Sequence, residues 1–178
     1  MEDKEKIRNE LFRLIRKEND QYWSLLHDLM IQIKKVYDCD YIPNINTELQ
    51  SLDEIMSKFK KIYNPNIHIK KTDLAFKRYI ILADEHPNEY QINAVRQFSS
   101  LDIKSITEER YTKIIDDYPA YWDSAINDLI RPHAIRKRRL YLIDRIDVMV
   151  AECKKLDYSH LVEKLINYQN EQVAKLNE

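Results

Sequence analysis

The densest reactive chemistry in the sequence is cationic. Arg131-Pro132-His133-Ala134-Ile135-Arg136-Lys137-Arg138-Arg139 carries five arginine and lysine side chains and no acidic one. Guanidinium groups bind phosphates and carboxylates through paired charge-assisted hydrogen bonds. Pro132 is suited to opening a helix, which would put Arg136 and Arg139 on one face at three-residue spacing and Lys137 and Arg138 on adjoining faces. Tyr141 lies within reach and adds a ring for stacking or packing. The run could contact nucleic-acid phosphates through Arg131, Arg136, Lys137, Arg138 and Arg139, or pair with an acidic helix face such as Glu108, Glu109, Asp116 and Asp117. A formal net charge of −1 gives no long-range attraction for a polyanion. The expectation is therefore a solvated or ion-paired face, with nucleic-acid binding as the alternative. Aromatic residues give the other chemical signal, in Tyr22-Trp23 and Tyr118-Pro119-Ala120-Tyr121-Trp122 among 12 tyrosines. Trp23 and Trp122 are expected to anchor the core, whereas exposed tyrosine beside arginine is the chemistry of a protein interface.

Catalytic patterns are weaker. His27-Asp28 resembles the central pair of the HD phosphohydrolases, but that family needs an earlier histidine ligand and none precedes position 27. Di-metal sites in helical bundles need Glu-x-x-His motifs on facing helices. The nearest features are Asp144-x-x-Asp147, the reversed His160-x-x-Glu163, and Glu85-His86 with Glu89, none of which repeats as a symmetric pair. In size and helicity the chain resembles the HEPN class of helical ribonucleases. The motif of that class spaces an arginine five to seven residues from a histidine, whereas Arg131-Pro132-His133 is too close. Cys39 and Cys153 match no metal spacing. Cys153 falls on an apolar helical face, and Cys39 sits between Asp38 and Asp40, which disfavour its thiolate. No metal or cofactor is expected. A triad assembled only in space leaves open a small helical hydrolase or nuclease with an unrecognised site.

The elements that must position these groups follow from one compositional fact: the 178 residues include no glycine. Positive φ is then costly everywhere, which disfavours two-residue hairpins, glycine caps and the glycine loops that cradle phosphates in P-loop and dinucleotide-binding proteins. Hydrophobic residues make up 44% and charged residues 33%, as in a globular protein with many exposed helix faces. The charged Met1–Lys6 start and the lack of a long apolar run predict a cytoplasmic protein without membrane contact, its cysteines reduced.

Apolar spacings of three and four predict a long helix over 3–37, which the polar Lys17-Glu18-Asn19-Asp20 stretch could divide. Residues 38–46, with Pro43, read as a loop before a helix capped by Thr47 or Ser51 and stopped at Asn64-Pro65-Asn66. A helix from Thr72 to Pro87 and a shorter one through Tyr90, Val95 and Phe98 come next. Ser105 and Glu108 form a capping box, Pro119 and Pro132 open new helices, and Ser159 caps the last.

The predicted fold is all-α: a single-domain antiparallel bundle over 1–178, of about seven or eight helices with two or three long spine helices. The predicted function is noncatalytic, binding a protein partner or a second copy of the chain through its long amphipathic helices. Nucleic-acid binding by residues 131–139 ranks second.

Overall fold

A computed structural model describes residues 4–17, 21–63, 86, 88–96 and 100–177. Among these the protein is all-helical: α1 (Lys4–Lys17), α2 (Gln21–Asp38), α3 (Ile42–Ile62), α4 (Glu89–Arg96), α5 (Ile103–Asn127), α6 (Pro132–Lys155) and α7 (Ser159–Ala174). No described helix is long and apolar enough to cross a membrane. The stretch expected to divide the first helix and the helix expected from Thr72 fall wholly or largely outside the described residues, as does the Trp23 side chain.

The chain forms two compact units. Unit 1 comprises residues 1–39 and 47–103, and unit 2 comprises residues 40–46 and 104–178. In unit 1, Tyr22, Leu26, Leu29, Ile33 and Val36 of α2 are all buried, the four-and-three spacing read from the sequence. Tyr22 meets Phe59 of α3 with ring centroids 5.3 Å apart. Gln32 donates to the Glu48 carbonyl at 2.9 Å, so α2 and α3 run antiparallel. Helix α4 packs on α2. It is started by a reciprocal cap in which the Asn88 amide donates to the Gln91 side chain at 2.8 Å and the Gln91 amide to the Asn88 side chain at 2.9 Å. The same fully buried Gln91 donates to the Met30 carbonyl at 2.8 Å.

In unit 2, α6 turns back on α5 and α7 turns back on α6. Asp123 of α5 accepts from Tyr168 of α7 at 3.1 Å, and Lys164 pairs with Asp116 at 2.7 Å, so α5 and α7 run parallel. Ile115, Tyr118, Trp122, Leu142, Ile146, Met149, Leu161 and Leu165 are all buried in this unit. Asn46 connects α5 and α6, accepting from the Tyr111 hydroxyl and donating to Glu152 at 2.9 Å. Cys153 is fully buried, and burial, then the neighbouring Glu152, pushes its thiol up to about 11, so it packs as an apolar group.

Four local expectations change. Residues 42–46 are the first turn of α3, with Pro43 at a position where a missing amide costs nothing, so neither Thr47 nor Ser51 caps the helix. Pro119 does not open a helix: α5 continues through it, with buried Tyr118 and Trp122 securing both sides. Ser105 lies inside α5, which begins at Ile103. Ser159 is the first residue of α7 and Tyr158 its cap.

Asp157 is the one left-handed position among the described residues, with φ of 58°. It closes α6: the Tyr158 amide donates to the Cys153 carbonyl at 3.1 Å and the Asp157 amide to the Lys154 carbonyl at 3.3 Å, the paired bonds of a Schellman cap. A left-handed non-glycine residue costs about 1–2 kcal/mol, and glycine's extra unfolded-chain entropy about 0.5–1 kcal/mol. Asp157→Gly should therefore stabilise the protein by about 0.5–1 kcal/mol in urea unfolding.

Burial, opposed by the Asn46 hydrogen bond and reinforced by Glu152, raises the Tyr111 hydroxyl from 10.0 to about 12. The folded state thus keeps this proton where the unfolded chain sheds it. The contribution to stability is complete below pH 10 and declines as pH rises from 10 towards 12. Urea unfolding across that range should show the decline, and Tyr111→Phe should make it shallower, the raised Cys153 thiol and the Tyr41 and Tyr118 hydroxyls supplying the remainder.

Candidate interaction face on helices α5 and α6

The basic run does not act as one block. Helix α6 begins at Pro132, with Arg131 at its cap position, no side-chain cap bond and no acidic residue in its first turn. Helical geometry then sends the cations in different directions. Arg136 reaches the residues that follow α7 and donates to the Leu176 carbonyl at 3.1 Å. Arg139 turns inward to Gln172, which itself donates to Asp123 at 3.3 Å. Arg138 lies over α5, its guanidinium 6.0 Å from the Trp122 ring. Arg131 and Lys137 are exposed.

None of these five cations pairs with a carboxylate among the described residues. Two of the acids expected to receive them are engaged elsewhere, Asp116 with Lys164 at 2.7 Å and Asp117 with Lys113 at 3.0 Å. Ion pairing to that acidic face is therefore not what holds the run, whose intramolecular bonds go to neutral oxygens. The cause is topological: Asp116 faces α7, not the first turns of α6.

The more organised site lies about two turns further along α6. Arg145 stacks on Tyr41 with 3.7 Å between guanidinium carbon and ring centroid. Its Nε donates to the Tyr118 hydroxyl at 3.1 Å and its terminal nitrogen to the Tyr141 hydroxyl at 2.9 Å. Trp122 lies 5.7 Å from the same guanidinium and 5.9 Å from the Tyr141 ring. Tyr121 meets Trp122 edge-on at 5.6 Å and is 63% exposed, and Tyr141 is 49% exposed, while Trp122 is buried. The expectation that Trp122 anchors the core holds.

Protonation at this face is fixed near neutral pH. Burial raises the Tyr41 and Tyr118 hydroxyls above their ordinary value despite the opposing Arg145 charge, so both stay neutral. Burial works most against the Arg145 charge, but its hydrogen bonds to Tyr118 and Tyr141 outweigh that, and its proton is held more firmly than usual. A fixed cation among neutral phenols can recognise an anion or a polar-aromatic surface. It supplies no general base.

A groove of about 340 Å³ runs between α5 and α7, lined by Asp116, Pro119, Lys164, Leu165, Tyr168 and Glu171 among others. No histidine lines it, and Lys164 already pairs with one of its two carboxylates, Asp116. Among the described residues no three His, Cys, Asp or Glu side chains gather closely enough to hold a metal ion.

The sequence pointed to Tyr121, Trp122 and Tyr141 but not to Arg145 or Tyr41. Arg138, Tyr141 and Arg145 stand at spacings of three and four, a signal that this face carries both charge and aromatic rings. Tyr41 had no such signal, because it joins the site from a segment about 100 residues away in sequence.

Lysine cannot reproduce the planar fork that stacks on one ring while donating to two hydroxyls. Arg145→Lys should lower the unfolding free energy by about 1–2 kcal/mol, with loss of the Tyr118 bond the larger part, as chemical denaturation would measure. No protein-family model, curated protein or solved structure matches this chain.

Proposed function

We propose that this chain is a noncatalytic interaction protein, one helical domain of the cytoplasm, that binds a protein partner or a second copy of itself. The binding surface is the α5–α6 face around Trp122. What carries the reading is the treatment of Arg145: a guanidinium held by one tyrosine ring and two tyrosine hydroxyls, without a carboxylate partner among the described residues, beside two exposed tyrosines. Tyrosine, tryptophan and arginine are the residues that dominate the energetics of protein interfaces. They offer large rigid contact areas and planar hydrogen bonding at small entropic cost. Exposed Leu140 on α6 and Ile166 and Val173 on α7 add apolar surface to the same unit, which also favours a protein partner.

Nucleic-acid binding is the second reading, favoured by exposed Arg131, Lys137 and Arg138, which lack carboxylate partners among the described residues. It is weakened by the engagement of Arg136 and Arg139 within the protein. Nonspecific duplex binding draws its strength from many phosphate contacts at once.

A benzophenone amino acid placed at position 121 or 141, with photolysis in the cells that make the protein, separates these readings. Protein adducts at both positions are expected, and sedimentation of the purified chain shows whether the partner is a second copy. Nucleic acid as the main adduct, with binding that weakens steeply in salt, would install the second reading. An absence of any adduct at both positions would remove the α5–α6 face as the site.

A further inference from the structure

The face formed by α5 and α6 is covered at one end by the chain itself. Tyr41 covers Arg145, and Asn46 bonds both Tyr111 of α5 and Glu152 of α6. Towards the α5–α6 turn the same face is open. There Tyr121 and Tyr141 are exposed, Arg138 lies over Trp122 towards solvent, and Ile130 in the turn is 94% exposed.

Along α6 this face follows a regular register. Ala134, Arg138, Tyr141, Arg145 and Val148 stand at spacings of four, three, four and three, beside the buried seam of Leu142, Ile146, Met149 and Cys153. Such a stripe is the surface on which a second amphipathic helix packs. Arg138 and Arg145 are seven residues apart, about 10.5 Å along the axis, with Tyr141 between them.

The charge around the open end is one-sided. Residues 128–145 contain six arginine and lysine side chains and two carboxylates, Asp128 and Asp144; with Arg136 and Arg139 bonded elsewhere in the protein, Arg131, Lys137, Arg138 and Arg145 still outnumber those acids. Asp123, the acid next to Trp122 on α5, is committed to Tyr168 and Gln172 of α7.

Resting on the protein-binding reading above, we infer that the open end of the α5–α6 face docks an acidic amphipathic helix of a protein partner, continuing the packing that residues 41–46 begin. Carboxylates two turns apart on that helix pair with Arg138 and with the outer edge of Arg145. An apolar side chain between them lies on Tyr141 and Tyr121. A nucleic-acid strand fits this end less well, because two of the run's cations are already bonded inside the protein and the exposed Ile130 asks for an apolar counterpart.

The test uses the full chain and three labelled probes: a helical peptide with glutamates at i and i+7 and leucines at i+3 and i+4, its lysine counterpart, and a single-stranded oligothymidylate. The acidic peptide should bind below about 100 µM and at least tenfold tighter than the lysine peptide. Arg138→Glu should reverse that preference, and Tyr141→Ala should weaken the acidic peptide about tenfold without changing the order of the two peptides. Both variants alter exposed side chains, and unchanged circular dichroism confirms that they fold. Equal binding of the two peptides, or a preference untouched by Arg138→Glu, overturns the acidic-helix inference and leaves a protein-binding face. Binding of the oligothymidylate alone overturns both. No binding by any probe overturns the inference, and the photocrosslinking experiment then judges the function by itself.

Discussion

With no glycine, every reversal of this chain must be made by residues for which a left-handed backbone is expensive. Right-handed helices meet that constraint at no cost, and the described residues contain nothing else of regular structure. The junctions show how the constraint is handled. Pro43 and Pro132 sit in first turns, where a missing amide is harmless, and Asn88 caps α4 in a reciprocal bond with Gln91. Where α6 must stop sharply before α7, Asp157 takes the left-handed position that glycine would usually occupy. The cap is needed because α7 packs back on α6, where Gln169 bonds the Ile143 carbonyl, and Arg136 bonds the Leu176 carbonyl just beyond α7.

The start of α6 departs from the usual chemistry of a helix N-terminus. That end carries a partial positive charge and favours acidic or small capping side chains, yet here Arg131 occupies the cap position and four further cations follow within two turns. The protein offsets part of this by directing Arg139 onto an oxygen of α7 and Arg136 onto the Leu176 carbonyl just beyond it. Arg138 goes onto a tryptophan ring instead. Departures of this kind, where a local rule is broken without a full internal compensation, are where binding surfaces tend to lie.

Arg145 shows how a cation can be held without an acid. Ring stacking and two neutral hydroxyl acceptors replace the carboxylate, so the guanidinium is oriented but its charge is not cancelled. A salt-bridged arginine would present little field to a partner. This arrangement keeps both the field and the geometry, and the hydroxyls of Tyr41 and Tyr118 stay protonated and cannot neutralise it.

By itself the sequence determined the helical class and the buried seam of α2, because a 3.6-residue period is a local property that burial then reads out. It also determined that α6 starts at Pro132, since a proline's missing amide costs nothing in a first turn. Its reading of Pro119 as a helix start failed for the converse reason: burial of Tyr118 and Trp122 on either side holds the helix together through a proline that local rules would place at an end. Residues 42–46 were read as a loop because their helical identity depends on contacts with Tyr111 and Glu152, more than 60 residues away. Only the tertiary structure decided the fate of the basic run. Which cation meets a carbonyl, a ring or open water depends on how α5 and α7 flank α6, and the order of residues along one helix does not contain that information. The Arg145 site arose in the same way: Tyr41, Tyr118 and Tyr141 come from three separate stretches of chain and share an arginine only because packing brings them together.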